Sequence, residues 1–285
     1  MSDFVQQQNS ICDFSNSDSW VVLSPIEQSI KKKIEAVGTP LKDWDISIYR
    51  GVLTGCNEAF IIDTAKRDEI LSNCQSPEER ERTEALIRPI LRGRDIKRYG
   101  YVDSGLYLIN THNGIRGRIP RIKIEDYPAV KAHLDQYWDR ISTRADKGDT
   151  PYNLRNCTYL EDINKPKIMY SEIVRSPQFY LDKCGQFLPE ATTFILTGEH
   201  LRYLYNILHS KTFTYFFKRF YAGGGLGEDG YRYKKAFFEK LPIPKMVGTL
   251  NQQVIESAHE STDIEKNCLL LFNFSDDEIA EIERG

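Results

Sequence analysis

Hydrophobic residues recur at helical spacing near the beginning of the chain. Ser24 stands before Pro25, and Glu27 follows the serine by three residues, which is the pattern of a capping box at the start of a helix. Ile30 and Ile34 then fall on one face of the predicted helix. The helix is expected to end before the glycine and proline that follow this hydrophobic stripe.

Other stretches with the same spacing predict further helices. They cover most of residues 63–90, residues 124–141, and residues 198–221, the last beginning near Thr197. A second capping box at Ser275 predicts one more helix close to the end of the chain.

Short alternating or β-branched runs predict strands between these helices. The predicted strands lie at residues 46–50, 59–62, 105–109, 167–170, 178–181 and 192–196. Strands and helices mix without the regular β-α-β-α order of a doubly wound sheet. The pattern therefore predicts an α+β fold, in which a mixed or antiparallel sheet is followed by a helical carboxy-terminal part.

Local composition divides the chain into three parts. Residues 1–19 are rich in Ser, Asn, Gln and Asp, which is typical of a flexible arm. Residues 20–245 hold the predicted sheet, and the proline-containing segment 241–245 marks their end. Residues 246–285 are expected to form a carboxy-terminal helical segment.

The overall composition is that of an ordinary globular protein. Hydrophobic residues make up 40% and charged residues 28% of the 285 positions, with a net charge of −3 and a pI near 6.0. This balance argues against a uniformly basic protein that binds nucleic acid without selectivity. A basic face opposed by acidic surface elsewhere is still compatible with it, so the local distribution of charge decides.

Cysteine spacing and the length of apolar runs bear on the compartment. None of the six cysteines forms a C-x-x-C pair, so we expect reduced thiols and neither zinc nor disulfides. The sequence has no apolar run near the roughly 20 residues that a membrane helix needs. The polar first residues also lack the core of a signal peptide. We therefore expect a cytoplasmic protein without a membrane partner.

Sequence motifs for catalysis are missing. An adenine methyltransferase needs a glycine-rich cofactor loop and an Asn/Asp-Pro-Pro-Tyr/Phe motif, and neither string occurs. A metal-dependent nuclease needs paired carboxylates with a nearby lysine, for which Asp182-Lys183 is the nearest hint. The five histidines are scattered without ligand spacing. The chain alone is therefore not expected to be an enzyme, and no cofactor or metal site is expected in it.

A basic segment follows the predicted helix at 63–90. Its cations are Arg88, Arg92, Arg94, Lys97 and Arg98, with Asp95 as the acid among them. Arginine presents a planar fork that matches phosphate, or the O6 and N7 edge of guanine, through two hydrogen bonds. The alternatives are a solvated charged stretch or a brace of the fold through an Arg94–Asp95 contact.

A glycine-containing loop between two predicted strands is a second candidate. It carries Arg50, Thr54 and Asn57. An asparagine in such a loop can bind adenine N6 and N7 through two hydrogen bonds. The alternative is turn chemistry, with Asn57 holding its own backbone, and the residues alone favour that alternative.

Two further segments combine basic residues with glycine. The first holds Arg116, which is followed by Arg118, Arg121 and Lys123. The second spans residues 217–235, and its candidate phosphate contacts include Lys234 and Lys235. The alternatives are a solvated loop for the first segment and a linker with aromatic core residues for the second.

Five segments, taken in order, resemble the TaqI-like C-terminal specificity domain of type IIG restriction–modification enzymes and N6-adenine DNA methyltransferases. The matching segments are residues 46–63, 87–100, 152–173, 201–217 and 231–245. The resemblance implies that residues 20–245 are a DNA target-recognition domain, which holds double-stranded DNA opposite a separate catalytic domain. It implies DNA-facing positions in the loops named above and, in addition, at Arg155 and Asn156.

The resemblance also implies a parent enzyme with methyltransferase and nuclease domains. Such a parent is expected to methylate adenine with S-adenosylmethionine and to cleave DNA with Mg²⁺. Two rival interpretations stay open at this point. One is a protein-interaction or structural module of a restriction or phage-defence complex, which the net charge supports. The other is a fragment that carries a nuclease, which the missing carboxylate cluster opposes.

Overall fold

A computed structural model describes residues 23–222, 230–246, 248–256 and 262–285. The predicted arm at 1–19 and the glycine cluster at 223–225 lie outside the described residues. The chain folds into two compact units. The sheet unit comprises residues 47–172 and 178–198, and the helical unit comprises the described residues of 23–46, 173–177 and 199–285. The predicted boundaries at residues 19 and 245 stay predictions.

Strands and helices are named in chain order. The strands are β1 (Thr39–Pro40), β2 (Ile46–Arg50), β3 (Ile61–Asp63), β4 (Ile87–Leu91), β5 (Ile96–Lys97), β6 (Gly100–Tyr101), β7 (Leu106–Ile109), β8 (Lys167–Ser171), β9 (Ile173–Val174), β10 (Phe179–Asp182), β11 (Leu188–Pro189), β12 (Thr193–Gly198), β13 (Tyr231–Arg232) and β14 (Pro242–Ile243). The helices are α1 (Pro25–Val37), α2 (Asn57–Phe60), α3 (Thr64–Ser72), α4 (Pro77–Leu86), α5 (Pro128–Asp135), α6 (Trp138–Thr143), α7 (Leu160–Ile163), α8 (Leu201–His209), α9 (Lys211–Phe216), α10 (Lys235–Phe238), α11 (Thr249–Glu256), α12 (Thr262–Leu270) and α13 (Asp276–Arg284).

The sheet unit contains two four-stranded sheets. The first has the order β10-β8-β12-β2, and β8 pairs antiparallel with both β10 and β12. The second has the order β11-β4-β7-β3, in which β4 pairs antiparallel with β7 and parallel with β11. Mixed and antiparallel sheets with helices at the carboxy terminus confirm the α+β class predicted from the sequence.

The core of the sheet unit is built from the inward faces of these strands and the short helices on them. Leu91, Ile109, Met169 and Ile195 are fully buried and belong to one hydrophobic cluster. Burial of such side chains contributes about 1.5–3 kcal/mol each relative to full exposure. The core therefore holds the strands in place, and with them the ends of the loops that connect the strands.

In the helical unit, the predicted first helix is confirmed as α1. Its capping box forms, because the Ser24 N–H donates to Glu27 Oε2 at 2.6 Å and the Ser24 hydroxyl accepts from the Glu27 N–H. Ile30 and Ile34 are fully buried. The helix contacts α13 near the end of the chain, where Lys33 Nζ lies 2.6 Å from Glu278 Oε2.

The sequence predicts one continuous helix over residues 198–221. This prediction is wrong, because the structure has an interruption in that range. Ser210 separates α8 from α9 with an extended backbone, and its hydroxyl accepts from the Phe213 N–H at 3.1 Å. A serine that caps a new helix start interrupts a hydrophobic pattern that reads as continuous. Phe213, Phe216 and Phe217 are buried in the core, and Phe220 is half-buried.

Two other predicted elements need correction. The prediction of one continuous helix over residues 124–141 is wrong, because two separate helices, α5 and α6, are found there. The break turns Trp138 toward solvent, where its side chain is 44% exposed. The strand predicted at 59–62 starts late, because α2 occupies its first half and β3 begins at Ile61.

No helix in the described part of the chain is long and apolar enough to cross a membrane. The described cysteines are free, namely Cys56, Cys74, Cys157, Cys184 and Cys268.

Candidate nucleic-acid interface

The loops of the sheet unit carry ten of the twelve candidate residues. These are Arg50, Thr54, Asn57, Arg92, Arg94, Lys97, Arg98, Arg116, Arg155 and Asn156. Lys234 and Lys235 belong to the helical unit.

Arg50 ends β2 with an exposed side chain whose Nε donates to the Ala191 carbonyl at 3.0 Å. The next residue, Gly51, donates its N–H to the Thr193 carbonyl at 2.7 Å. A Cβ at Gly51 would lie only 2.0 Å from the Glu190 carbonyl oxygen, so the loop needs a glycine there. These contacts anchor the start of the loop to the segment before β12.

Thr54 and Asn57 occupy the same loop but differ in exposure. The Thr54 side chain is buried, its hydroxyl donating to Asn57 Oδ1 at 2.6 Å and accepting from the Cys56 N–H at 3.2 Å. Asn57 is exposed at the start of α2. Thr54 therefore stabilises the turn, as in the alternative of turn chemistry, and Asn57 is the member of the pair that faces solvent.

A buried arginine joins this loop to a second one. The Arg144 guanidinium donates to the Thr54 carbonyl, and also to the carbonyls of Asp146 at 2.7 Å, Pro151 at 3.0 Å and Asn153 at 2.6 Å. It also lies 4.4 Å above the centre of the Phe60 ring. Burial lowers the pKa of Arg144 to about 10. Arg144 therefore acts as a clamp between residues 51–57 and residues 144–153.

The basic segment after β4 is braced by Arg92. Its N–H and Nε donate to Asp95 Oδ2 at 3.0 and 2.8 Å, and its Nη2 donates to Oδ1 at 2.8 Å. Burial opposes ionisation of Asp95, but the hydrogen bonds from Arg92 outweigh it and lower the pKa of this carboxyl. The alternative of an Arg94–Asp95 brace is therefore wrong, because Arg92 is the partner of Asp95.

The other cations of this segment point into solvent. Arg94 is exposed, and its side chain has no partner among the described residues. Lys97 Nζ donates to the Arg94 carbonyl at 2.7 Å, and the Arg98 guanidinium lies 5.1 Å from the centre of the Tyr99 ring. The arrangement leaves the Arg94 guanidinium available to an incoming phosphate or base.

Arg116 stands on a tight turn closed by a bridge between Ile115 and Ile119. Gly114 and Gly117 adopt positive φ angles of 70° and 77°, which glycine allows at little cost. Arg116 is exposed and has no side-chain partner among the described residues. The turn therefore presents this guanidinium to solvent.

The turn forms one wall of an open groove with a volume of about 760 Å³. Asp149, Asn156, Arg118 and Arg121 also line the groove. The groove brings together Arg116 and Asn156, two candidates that are 40 residues apart in sequence.

Three other exposed arginines around these loops form ion pairs with exposed carboxylates. Arg118 pairs with Glu161 at 2.5 Å, Arg121 with Asp149 at 3.3 Å, and Arg155 with Asp146 at 3.1 Å. Exposed pairs of this kind contribute about 0–1 kcal/mol each. A phosphate can therefore replace the carboxylate at a small cost.

The two lysines of the helical unit lie at the start of α10. Lys234 is exposed, with Nζ 5.7 Å from the centre of the Phe237 ring, and Lys235 Nζ pairs with Glu239 Oε1 at 3.5 Å. The glycine cluster expected beside them lies outside the described residues.

Asp182 is the residue nearest to a nuclease pattern in the sequence, but its carboxylate is occupied by a buried ion pair and by backbone hydrogen bonds. It is buried with Lys167, whose Nζ lies 2.7 Å from its Oδ2. It also accepts the N–H groups of Gln186 and Phe187 at 2.9 and 3.0 Å. Within the described residues no group of three or more His, Cys, Asp or Glu side chains is placed to hold a metal.

Two residues that organise these loops, Arg144 and Asn113, carry no recognisable signal in the sequence. Arg144 stands in a polar stretch without a pattern that distinguishes it from a solvated arginine. Asn113 precedes a glycine, which signals a turn and conveys nothing about a partner 43 residues away. Their roles depend on contacts between distant segments.

The geometry can be compared with known proteins. The sequence model of a protein family, the TaqI-like C-terminal specificity domain, matches residues 88–243, which is more than half of the chain. A solved structure described as the type IIG restriction endonuclease BpuSI is similar with a TM-score of 0.58 and 15% identity, over 91% of this chain and 31% of that chain. The structure of the type IIL restriction-modification enzyme MmeI in complex with DNA is similar with a TM-score of 0.59 and 12% identity, over 86% of this chain and 35% of that chain.

The chain thus spans about a third of the length of these two solved proteins. At these identities the structural likeness shows a shared fold. The family match confirms the resemblance found in the sequence: the chain belongs to the TaqI-like C-terminal specificity domain family.

Proposed function

We propose that this chain recognises a specific sequence in double-stranded DNA, as the target-recognition part of a restriction–modification enzyme. The family match over residues 88–243 carries the proposal. The solved structure of MmeI, whose fold is shared, is one in complex with DNA. The exposed guanidinium groups of Arg94 and Arg116, on loops held by buried contacts, supply the chemistry that phosphates and base edges require.

The proposed interface lies on the loops of the sheet unit. Arg50, Arg94, Arg116 and Arg155 contact phosphate or base edges, and Asn57 and Asn156 are placed to read bases. Lys234 and Lys235 of the helical unit add phosphate contacts. The chain carries no catalysis of its own, and it works in the cytoplasm, where its DNA substrate lies.

The parent enzyme supplies the chemistry in this proposal. Separate domains methylate adenine with S-adenosylmethionine and, where a nuclease is present, cleave DNA with Mg²⁺. The chain holds the duplex while the methyltransferase acts on an adenine rotated out of the helix.

A selection from a randomised duplex library at low and physiological salt tests the proposal. Retained DNA is sequenced, and the affinity of an enriched duplex is then measured against salt concentration. If about four to six phosphates are neutralised, log K falls with a slope of about −4 to −5 against log salt. Enrichment of a short motif with such a slope is the expected result.

Variants locate the interface. Arg94→Ala is expected to lower the salt slope by about one, because one phosphate contact is lost. Arg82→Ala is the matched control, since Arg82 is also exposed in the sheet unit but belongs to α4 and to none of the candidate loops. Absence of any retention at low salt would contradict the proposal and would favour a protein-interaction module.

A further inference from the structure

One wall of the groove beside Arg116 contains two asparagines in direct contact. Asn113 Nδ2 donates to Asn156 Oδ1 at 2.5 Å and to Asp149 Oδ1 at 3.0 Å. Asn113 Oδ1 accepts from the Asp149 backbone N–H at 2.9 Å. Gly148 permits this approach, because a Cβ there would lie 2.5 Å from Asn113 Oδ1.

These contacts determine the orientation of both amides. A backbone N–H can only donate, so the atom of Asn113 that faces the Asp149 N–H must be its oxygen. The amide nitrogen of Asn113 then faces Asn156, and it can only donate. Asn156 must therefore turn its oxygen toward Asn113, which directs its own Nδ2 away from this contact.

The outward edge of Asn156 is thereby defined. Its Nδ2 has no partner among the described residues, and its Oδ1 keeps one lone pair after accepting from Asn113. The side chain is exposed and lines the groove. A donor and an acceptor side by side are what adenine requires, because its N7 accepts and its N6 donates in the major groove.

We infer that Asn156 reads an adenine in the major groove of the bound duplex, and that Asn113 is the positioning residue that orients its amide. This inference rests on the proposed function and adds the base and the residue that recognises it. Neighbouring Arg116 is the cation suited to the adjacent phosphate. The Asp149 carboxylate is offset by Arg121 and by the Asn113 amide, so it opposes the DNA backbone only weakly.

The other candidate asparagine, Asn57, lacks this fixed orientation. Asn57 Oδ1 contacts the Thr54 hydroxyl at 2.6 Å. A hydroxyl can donate or accept, so this contact is satisfied by either orientation of the Asn57 amide. The geometry therefore assigns the adenine to Asn156.

The test replaces the hydrogen-bond donor of the Asn156 side chain, its Nδ2, by an acceptor oxygen. Asn156→Asp keeps the contact with Asn113 but offers oxygen atoms alone to the base, and a carboxylate accepts from cytosine N4. Library selection with the wild type is expected to enrich a motif that contains adenine. Selection with Asn156→Asp is expected to replace that adenine by cytosine at one position and to leave the other positions unchanged.

Two further variants and a control distinguish a loss of base recognition from a loss of folding. Asn156→Ala is expected to reduce discrimination for adenine at the same position by about 5- to 150-fold, the loss of one bidentate contact. Asn113→Ala is expected to weaken the same preference without creating a new one, because the amide of Asn156 loses its fixed orientation. Asn73→Asp adds the same charge on an exposed residue at the end of α3 and is expected to keep the wild-type motif.

The outcomes distinguish the inference from the proposed function. A wild-type motif that persists unchanged in Asn156→Asp and Asn156→Ala overturns the inference and leaves sequence recognition intact. A motif without adenine overturns it as well. If the wild type retains no DNA, the proposed function fails and the inference fails with it.

Discussion

Replacement of Arg144 by methionine tests whether the clamp holds the candidate loops. Among its four acceptors, the buried Thr54 carbonyl loses its donor in Arg144→Met, whereas the buried Asn153 carbonyl keeps the Gly148 N–H at 2.9 Å. A buried acceptor left unpaired costs about 1–3 kcal/mol. Methionine keeps apolar contact with Phe60 and needs no desolvation of a charge, so we expect a net loss within that range, about 2 kcal/mol.

The assay is urea unfolding followed by circular dichroism, which gives the free energy of unfolding. The matched control is Arg140→Met, four residues earlier, where the guanidinium is exposed and pairs with exposed Glu58 at 3.1 Å. We expect the control to unfold like the wild type, because exposed ion pairs contribute little. A change below about 1 kcal/mol for Arg144→Met would refute the clamp, since the buried Thr54 carbonyl would then have lost nothing of consequence.

Three further predictions concern the two units. Burial opposes ionisation of Glu278, but hydrogen bonds from Lys33, Ser29 and the Ser275 N–H outweigh it and lower its pKa from 4.5 to about 2. Its stabilising contribution is thus present above pH 4.5 and lost as pH falls toward 2, so acid titration of unfolding should show Glu278→Gln and the wild type converging over this range. Gly51→Ala is expected to destabilise by about 1–3 kcal/mol in thermal unfolding because its new Cβ meets backbone, whereas Gly100→Ala, with open space around it, should change little; equal effects would contradict this reasoning. Asp182→Asn should cost about 3–5 kcal/mol in urea unfolding, because it leaves the ammonium of Lys167 buried without its counter-charge; a neutral result would contradict a charged pair at that position.

Local patterns in the sequence predicted the elements that depend on neighbouring residues. The capping boxes at Ser24 and Ser275 form as expected, and strand β7 lies within the predicted run. Such elements can be predicted because their decisive contacts lie within a few residues. The interruption at Ser210 was missed because hydrophobic spacing continues across it.

The residue types of the candidate site could be predicted from the sequence, but the contacts that bring them together could not. Exposed arginines could be located by composition and glycine spacing. The clamp by Arg144 joins atoms 90 residues apart, and the Asn113–Asn156 contact spans 43 residues. Contacts at such separations depend on how the strands pair, which the hydrophobic pattern of one sequence does not specify.

The pairing of α1 with α13 has a consequence for the order in which the protein is made. Lys33 and Glu278 are 245 residues apart. At a synthesis rate of about 5–20 residues per second, α1 leaves the ribosome roughly 12–50 s before its partner exists. The sheet unit completes its chain at residue 198 and can fold during that interval, while α1 still lacks its contact with α13. A nascent chain stalled before α13 would therefore carry a folded sheet unit while α1 still lacks the helix that pairs with it.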